Sequence, residues 1–148
     1  LVTPYFVPDR PIAAALGCAA LRGVAVELFV PAASDTRVSD WAARRYLRYL
    51  ARQGVKIWET QLPFCHSKLT IVDDRWTCVG SSNWDTRSFR LNFELNVECY
   101  SAASALAARA YVENLRPASR DVTQELMNKM PLWKQIRNGV AWLTSPYL

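Results

Sequence analysis

Residues 64–83, FCHSKLTIVDDRWTCVGSSN, decide how this chain folds. Lys68 to Val72 and Trp76 to Val79 are apolar, β-branched runs separated only by Asp73, Asp74 and Arg75. That spacing predicts a tight antiparallel hairpin, since Asp is at home in such turns. The stretch also sets six residue types in the order H-x-K-x4-D-x6-G-S-x-N: His66, Lys68, Asp73, Gly80, Ser81 and Asn83. At average residue usage this arises by chance with a probability of roughly 10⁻⁷ per starting position, so the pattern carries information. On a strand, His66 and Lys68 lie two apart and point to one face, where imidazole and ammonium can converge on one phosphate. Ser81 and Asn83, at the end of the next strand, can bring a hydroxyl and an amide to the same place.

Upstream, Leu1 to Val7 reads as a strand ended by Pro8, and Asp9 caps a helix with Pro11 just inside it, stopped by Gly23. Val24 to Val30 is a buried strand, Pro31 to Val38 a loop, and Ser39 and Asp40 are the expected caps of a helix that runs to Gly54. Val55 to Glu59 follows as a strand. This β-α-β-α-β run calls for parallel pairing with right-handed crossovers. Joined to the hairpin it predicts an α/β fold with a mixed, mostly parallel sheet and helices on both faces. Downstream come a strand, Leu95 to Tyr100, an Ala-rich helix, Ala102 to Leu115, and a helix over Val122 to Met130. Leu132, Trp133, Ile136, Val140 and Leu143 share one helical arc with Lys134 and Arg137 at its edge. The division expected is a catalytic unit over residues 1–118 and a helical, amphipathic tail over 119–148.

The 148 residues suit one domain, and 51% apolar against 21% charged residues argues for a packed core rather than disorder. Lys plus Arg (18) over Asp plus Glu (13) leaves +5, a modest bias toward anionic partners. The longest uncharged apolar run, Ile12 to Leu21, is half of the roughly 20 residues a bilayer span needs. The start at Leu1 lacks a signal-peptide pattern, and a fragment of a longer protein is expected. Cys18, Cys65, Cys78 and Cys99 show no C-x-x-C spacing, so buried reduced thiols are expected, and a single histidine argues against a His/Cys zinc site.

The pattern from His66 to Asn83 resembles the HKD motif of the phospholipase D superfamily. The resemblance implies that one imidazole attacks phosphorus to form a phospho-histidine, while a second, protonated imidazole donates to the leaving oxygen. Lys68 and Asn83 then stabilise charge on the phosphoryl oxygens, and neither metal nor organic cofactor is called for. The family places an acidic residue after the G-S-x-N segment to orient the histidine, which points to Glu94. Asp73 is the third letter of the motif, yet at a hairpin end its side chain more naturally fixes the turn.

TPYFVPD (3–9), AARRYLRYLARQGVKIWE (42–59) and GSSNWDTRSFRLNFELN (80–96) look like the C-terminal half of bacterial cardiolipin synthases. That likeness implies a phosphatidyltransferase acting on a phosphatidylglycerol-like lipid at the bacterial cell membrane, with its catalytic domain at the membrane surface. The family carries two HKD motifs and this chain shows one, so the partner is a second half in the same chain or a homodimer mate. The rival is a metal-independent phosphodiesterase or nuclease, in which Arg44, Arg45, Arg48 and Arg52 track a nucleic-acid backbone; their default meaning is a solvated helix face. A nucleic-acid partner is the less expected, and an inactive binding half is a third class.

Overall fold

The computed structural model describes residues 1–128 and 130–144. In chain order its elements are β1 (Phe6–Val7), α1 (Arg10–Leu21), β2 (Glu27–Pro31), α2 (Arg37–Arg52), β3 (Lys56–Thr60), β4 (Leu69–Val72) and β5 (Trp76–Gly80). There follow β6 (Trp84–Asp85), α3 (Thr86–Arg90), β7 (Asn96–Cys99), α4 (Ala102–Leu115), β8 (Ser119–Asp121), α5 (Thr123–Met127) and α6 (Leu132–Leu143).

The first three residues form the middle of the sheet. Val2 N donates to Leu69 O (2.8 Å) and Leu69 N to Val2 O (3.0 Å), while Thr3 N donates to Phe29 O (3.1 Å) and Phe29 N to Leu1 O (2.8 Å). Residues 1–3 thereby join β8-β3-β2 to β4-β5-β7, lying parallel to β2 and antiparallel to β4. The strand expected over Leu1 to Val7 is broken at Pro4, which has no N–H to donate. It resumes as β1, parallel to β6.

The sheet is mixed, as expected, with a balance further toward antiparallel than expected. β2–β3 and β1–β6 are parallel, whereas β3–β8, β4–β5 and β5–β7 are antiparallel. Parallel neighbours need a crossover helix, whereas β4 and β5 are joined by a tight turn and β8 returns along β3 after α4.

Alternation along β2 and β3 divides the core. Leu28, Val30 and Ile57 face α1, α2, α5 and α6; Phe29 and Trp58 face the other side, under Val112 and Leu115 of α4. Helices thus cover both faces. Phe29 and Trp58 stack at 5.8 Å, and Arg116 lies 4.9 Å above the Trp58 ring while pairing with Glu27 at 2.9 and 3.0 Å.

Several boundaries differ from expectation for local reasons. Gly23, at φ +90°, ends α1, and Val24 N folds back to Ala19 O (3.1 Å), so β2 starts later than Val24. α2 begins at Arg37 after Thr36, not at Ser39 or Asp40. Asp40 instead reaches from inside the first turn to Ser34 N at 3.3 Å, a favourable place for negative charge. The cysteines are free, but Cys18 is exposed and the other three are only half-buried, so none is the buried thiol expected.

The arginine face of α2 is solvated only in part: Arg45 and Arg52 are exposed, Arg44 and Arg48 half-buried. Arg44 pairs with Glu59 at 2.6 Å, and the Glu59 side chain, 3% exposed, also pairs with Arg120 at 3.0 Å. Arg45 stacks on Trp142 at 4.4 Å.

The segment from Ser119, expected as a helical tail, opens with a strand, β8, followed by Val122 and Leu126 in the main core. Thr123 accepts from Ile57 N at 2.9 Å, so α5 starts there, shorter than the helix expected over Val122 to Met130. Lys129 and 145–148, parts of that helix and of the tail, lie outside the described residues.

Ile57 is fully buried between β2 and α5, so Ile57→Ala is expected to lower unfolding stability by about 2–5 kcal/mol, read from the urea midpoint. Arg116 holds the Glu27 carboxyl below its ordinary value of 4.5. Because the folded value is depressed, the contribution is full above 4.5 and is lost as pH falls through the lower, folded value. Arg116→Gln is expected to flatten this acid-side loss in melting temperature measured against pH.

Candidate active site

The hairpin brings the motif residues to one end of β4 and β5. Its register, Leu69 against Val79, sets Lys68 beside Gly80, whose N donates to Lys68 O at 3.4 Å. At the other end, Asp73 and Asp74 turn the chain with φ of 50° and 52°, a conformation Asp tolerates better than most residues. Asp73 therefore stands about 17 Å of strand rise from Lys68 and is not brought to the other motif residues. Its neighbour Asp74 pairs with Arg109 of α4, which docks the turn.

His66 and Lys68 precede β4 rather than standing on it, since the strand begins at Leu69. They meet nonetheless: Lys68 Nζ lies 2.9 Å from His66 Nδ1 and 2.9 Å from His66 O. Nζ also lies 3.3 Å from His66 Nε2, so the ammonium rests against the ring between its two nitrogens. Partial burial lowers the Lys68 pKa, and the Glu94 carboxylate opposes that shift.

Gly80 lets the next strand come close. A Cβ there would stand 2.3 Å from both Leu95 O and Asn96 Oδ1. Beyond it Ser81 N donates to Leu95 O (2.9 Å), Leu95 N donates back to Ser81 Oγ (2.9 Å), and Ser81 Oγ donates to Glu94 Oε2. Glu94 Oε1 accepts from Asn92 Nδ2 at 3.2 Å. The Ser81 hydroxyl first, then Asn92 and the Lys68 charge, hold the Glu94 carboxyl below its ordinary range.

The hydrogen bond expected from Glu94 to His66 is absent, because Ser81, directly across the β5–β7 pairing, takes the carboxylate. Asn83 donates its backbone N–H to Ser88 Oγ at 3.2 Å, and its buried Oδ1 has no partner among the described residues. It lines a cavity of about 200 Å³ shared with Tyr5, Arg87 and Asn92.

Sequence reasoning missed the walls of the histidine. The Tyr5 ring meets His66 edge-on at 6.3 Å, and Phe64 lies 5.8 Å from it. Tyr5 Oη donates to Asp35 Oδ1 at 2.6 Å; burial first, then this bond, pushes the Tyr5 pKa up to about 12. Tyr5 stood within the quoted TPYFVPD, and Phe64 beside the motif, without a role; Asp35, in a polar loop, gave no signal.

The family described as cardiolipin synthase, phospholipase D-like domain, matches residues 1–116. This chain belongs to it. A cardiolipin synthase of Geobacillus kaustophilus is 39% identical over all of this chain and 30% of its own length. The major cardiolipin synthase of Bacillus subtilis is 36% identical over 99% of this chain and 30% of its own. The chain thus spans about 30% of the length of the curated relatives it matches. Among solved structures, phosphatidylserine synthase of Haemophilus influenzae superposes with a TM-score of 0.75 at 19% identity, over 99% of this chain and 41% of that one. Nuc of Salmonella typhimurium, a phospholipase D family member, gives 0.72 at 23% identity, over 81% and 78%. The fold is that of the superfamily.

Gly80→Ala would force β7 and the Glu94–Asn96 backbone away from Ser81, an overpacking cost of about 1–3 kcal/mol. A lowered melting temperature and loss of the Ser81–Leu95 amide protection in hydrogen exchange are the expected outcomes.

Proposed function

We propose that this chain is the C-terminal half of a bacterial phosphatidyltransferase of the cardiolipin synthase type, working at the membrane surface. The observation that carries the reading is the cluster of His66, Lys68, Ser81 and Glu94 at one hairpin end, in a chain more than a third identical to cardiolipin synthases along its whole length. In the first step a neutral imidazole nitrogen bonds to the phosphorus of a phosphatidylglycerol-like donor. The phosphorus–oxygen bond to the headgroup alcohol breaks, and that oxygen takes a proton from a second, protonated imidazole. In the second step an acceptor hydroxyl returns its proton to that imidazole, attacks phosphorus and releases the first histidine.

His66 is the only histidine of the chain, so the other imidazole comes from a second HKD half. Leu91, Phe93 and Leu95 are exposed around Glu94, Leu95 by 73%, and this is the surface that half would cover. Lys68 would leave the His66 ring for the phosphoryl oxygens, as its compact, mobile ammonium allows, and the Asn83 side-chain N–H would be a second donor to them. Glu94 would hold the Ser81 hydroxyl and balance the Lys68 charge. Tyr5 and Phe64 would fix the plane of His66, and Asp73 would serve the turn. The nuclease reading is left a shorter backbone track, because Arg44 is spent on the buried Glu59.

The test compares lipid extracts of cells carrying the full-length protein, its His66→Ala form or an empty vector, by mass spectrometry. Cardiolipin above the vector level is expected only from the unaltered protein, with turnover in the variant down by at least about 10³-fold. Equal cardiolipin in both would overturn the assignment. Trapping with a labelled phospholipid, followed by peptide mapping, tells whether His66 carries the phosphatidyl group or acts as the proton donor.

A further inference from the structure

α6 is mounted with its apolar stripe facing outward. Leu132, Trp133, Ile136, Val140 and Leu143 are each 59–71% exposed, whereas Asn138 and Ala141, on the other side of the helix, are buried against α2. At 100° per residue the five apolar side chains fall within an arc of about 100°. A surface helix stabilised only by its own domain does the opposite, turning such a stripe inward. α6 is held to the rest of the protein chiefly through α2.

The charge around the stripe narrows the choice of occupant. The helix, LWKQIRNGVAWL, contains no acidic residue and carries Lys134 and Arg137. At its C-terminal end the guanidinium groups of Arg10 and Arg45 stack over the Trp142 ring at 4.8 and 4.4 Å. Neither belongs to an ion pair among the described residues. A stacked guanidinium keeps its N–H edge free, and that edge matches a phosphate in a two-pronged way. Beside it lies a cleft of about 380 Å³ with Ala13, Ala14 and Tyr49 in its walls. Aliphatic side chains and an exposed tryptophan on one side, with cations at the rim and Asp9 beside them already paired with Arg90, are the complement of an anionic bilayer surface.

We propose that α6, together with the Arg10–Trp142–Arg45 stack, docks this chain on an anionic phospholipid bilayer. The stripe enters the boundary between headgroups and acyl chains, and Arg10 and Arg45 meet lipid phosphates. The helix lies in the plane of the interface, as no helix among the described residues is long and apolar enough to cross a membrane. The docking deepens the lipid-transfer reading by bringing the site to its substrate, but vesicle binding is measured without turnover, so either proposal can fail alone.

The experiment is flotation of the full-length protein with vesicles of phosphatidylcholine, with and without phosphatidylglycerol. Hydrophobic segments elsewhere in that protein would bind by themselves, so the same assay is run on residues 1–148, after circular dichroism and a cooperative melt show a folded chain. Binding to the anionic vesicles is expected. The double variant Ile136→Ser, Val140→Ser alters only exposed side chains and is expected to bind at least about tenfold more weakly with an unchanged melt. Arg45→Gln is expected to lose about fivefold on anionic vesicles, matching the ~1 kcal/mol one cation contributes near a charged surface, and to leave binding to neutral vesicles unchanged. Equal flotation of the folded double variant would overturn the proposal. So would a concentration-dependent dimer that the double variant abolishes while neither form binds vesicles, since the stripe would then be a protein interface.

Discussion

The extended backbone of residues 1–3 is the constraint on which the rest of the structure depends. Its hydrogen bonds to Phe29 on one side and Leu69 on the other are the seam between β8-β3-β2 and β4-β5-β7. Without that seam β4-β5-β7 would have no backbone pairing to the rest of the sheet. With it, Leu69 is pinned to the centre of the sheet, so the two residues just before it, and the loop carrying His66, emerge at a determined edge. The same segment reaches the other flank of the site: Thr3 Oγ1 accepts from Trp84 N at 3.2 Å, and Tyr5 stands against His66.

The second constraint is the close approach of β5 and β7. Gly80 has no side chain to hold Asn96 away, and the two strands continue their pairing past the hairpin through Ser81, whose hydroxyl both accepts from Leu95 and donates to Glu94. A hydroxyl can do both at once, and a carboxylate so engaged is fixed in place rather than free to seek a cation. Lys68 therefore feels Glu94 through space while its ammonium rests on the imidazole. Its Nζ rests on the ring and on the His66 carbonyl and makes no ion pair among the described residues, so an incoming phosphate outcompetes these contacts.

Charge burial explains why only part of the basic face of α2 is presented to solvent. Glu59 points from β3 into the core side of the sheet, where an unpaired carboxylate would cost several kcal/mol, and Arg44 and Arg120 close over it. Trp142 extends the same logic outward, because its ring gives Arg10 and Arg45 a flat apolar seat and leaves their edges to solvent. One helix thus carries cations of two kinds, some neutralised inside and some presented outside. Their order along the sequence gave no hint of the difference.

Local chemistry was legible in the sequence alone. The hairpin at Asp73–Asp74, the Asp9 cap, the Gly23 stop and the span of α4 follow from φ preferences, side-chain capping and periodicity, all of which act within a few residues. That Lys68 and Gly80, and with them His66 and Ser81, lie at the same hairpin end was legible too, because antiparallel register brings positions before one strand and after the next to the same end. Tertiary structure decided what depends on partners distant in the chain. It took Glu94 from His66 and gave it to Ser81, set Tyr5 and Asp35 at the histidine, and left Asp73 at the far end of the hairpin. It turned the stripe of α6 outward, although periodicity showed only that a stripe exists. Periodicity marks which residues share a face; the direction of that face is set by what else competes to be buried, and here α2 took Asn138, Ala141 and Trp142.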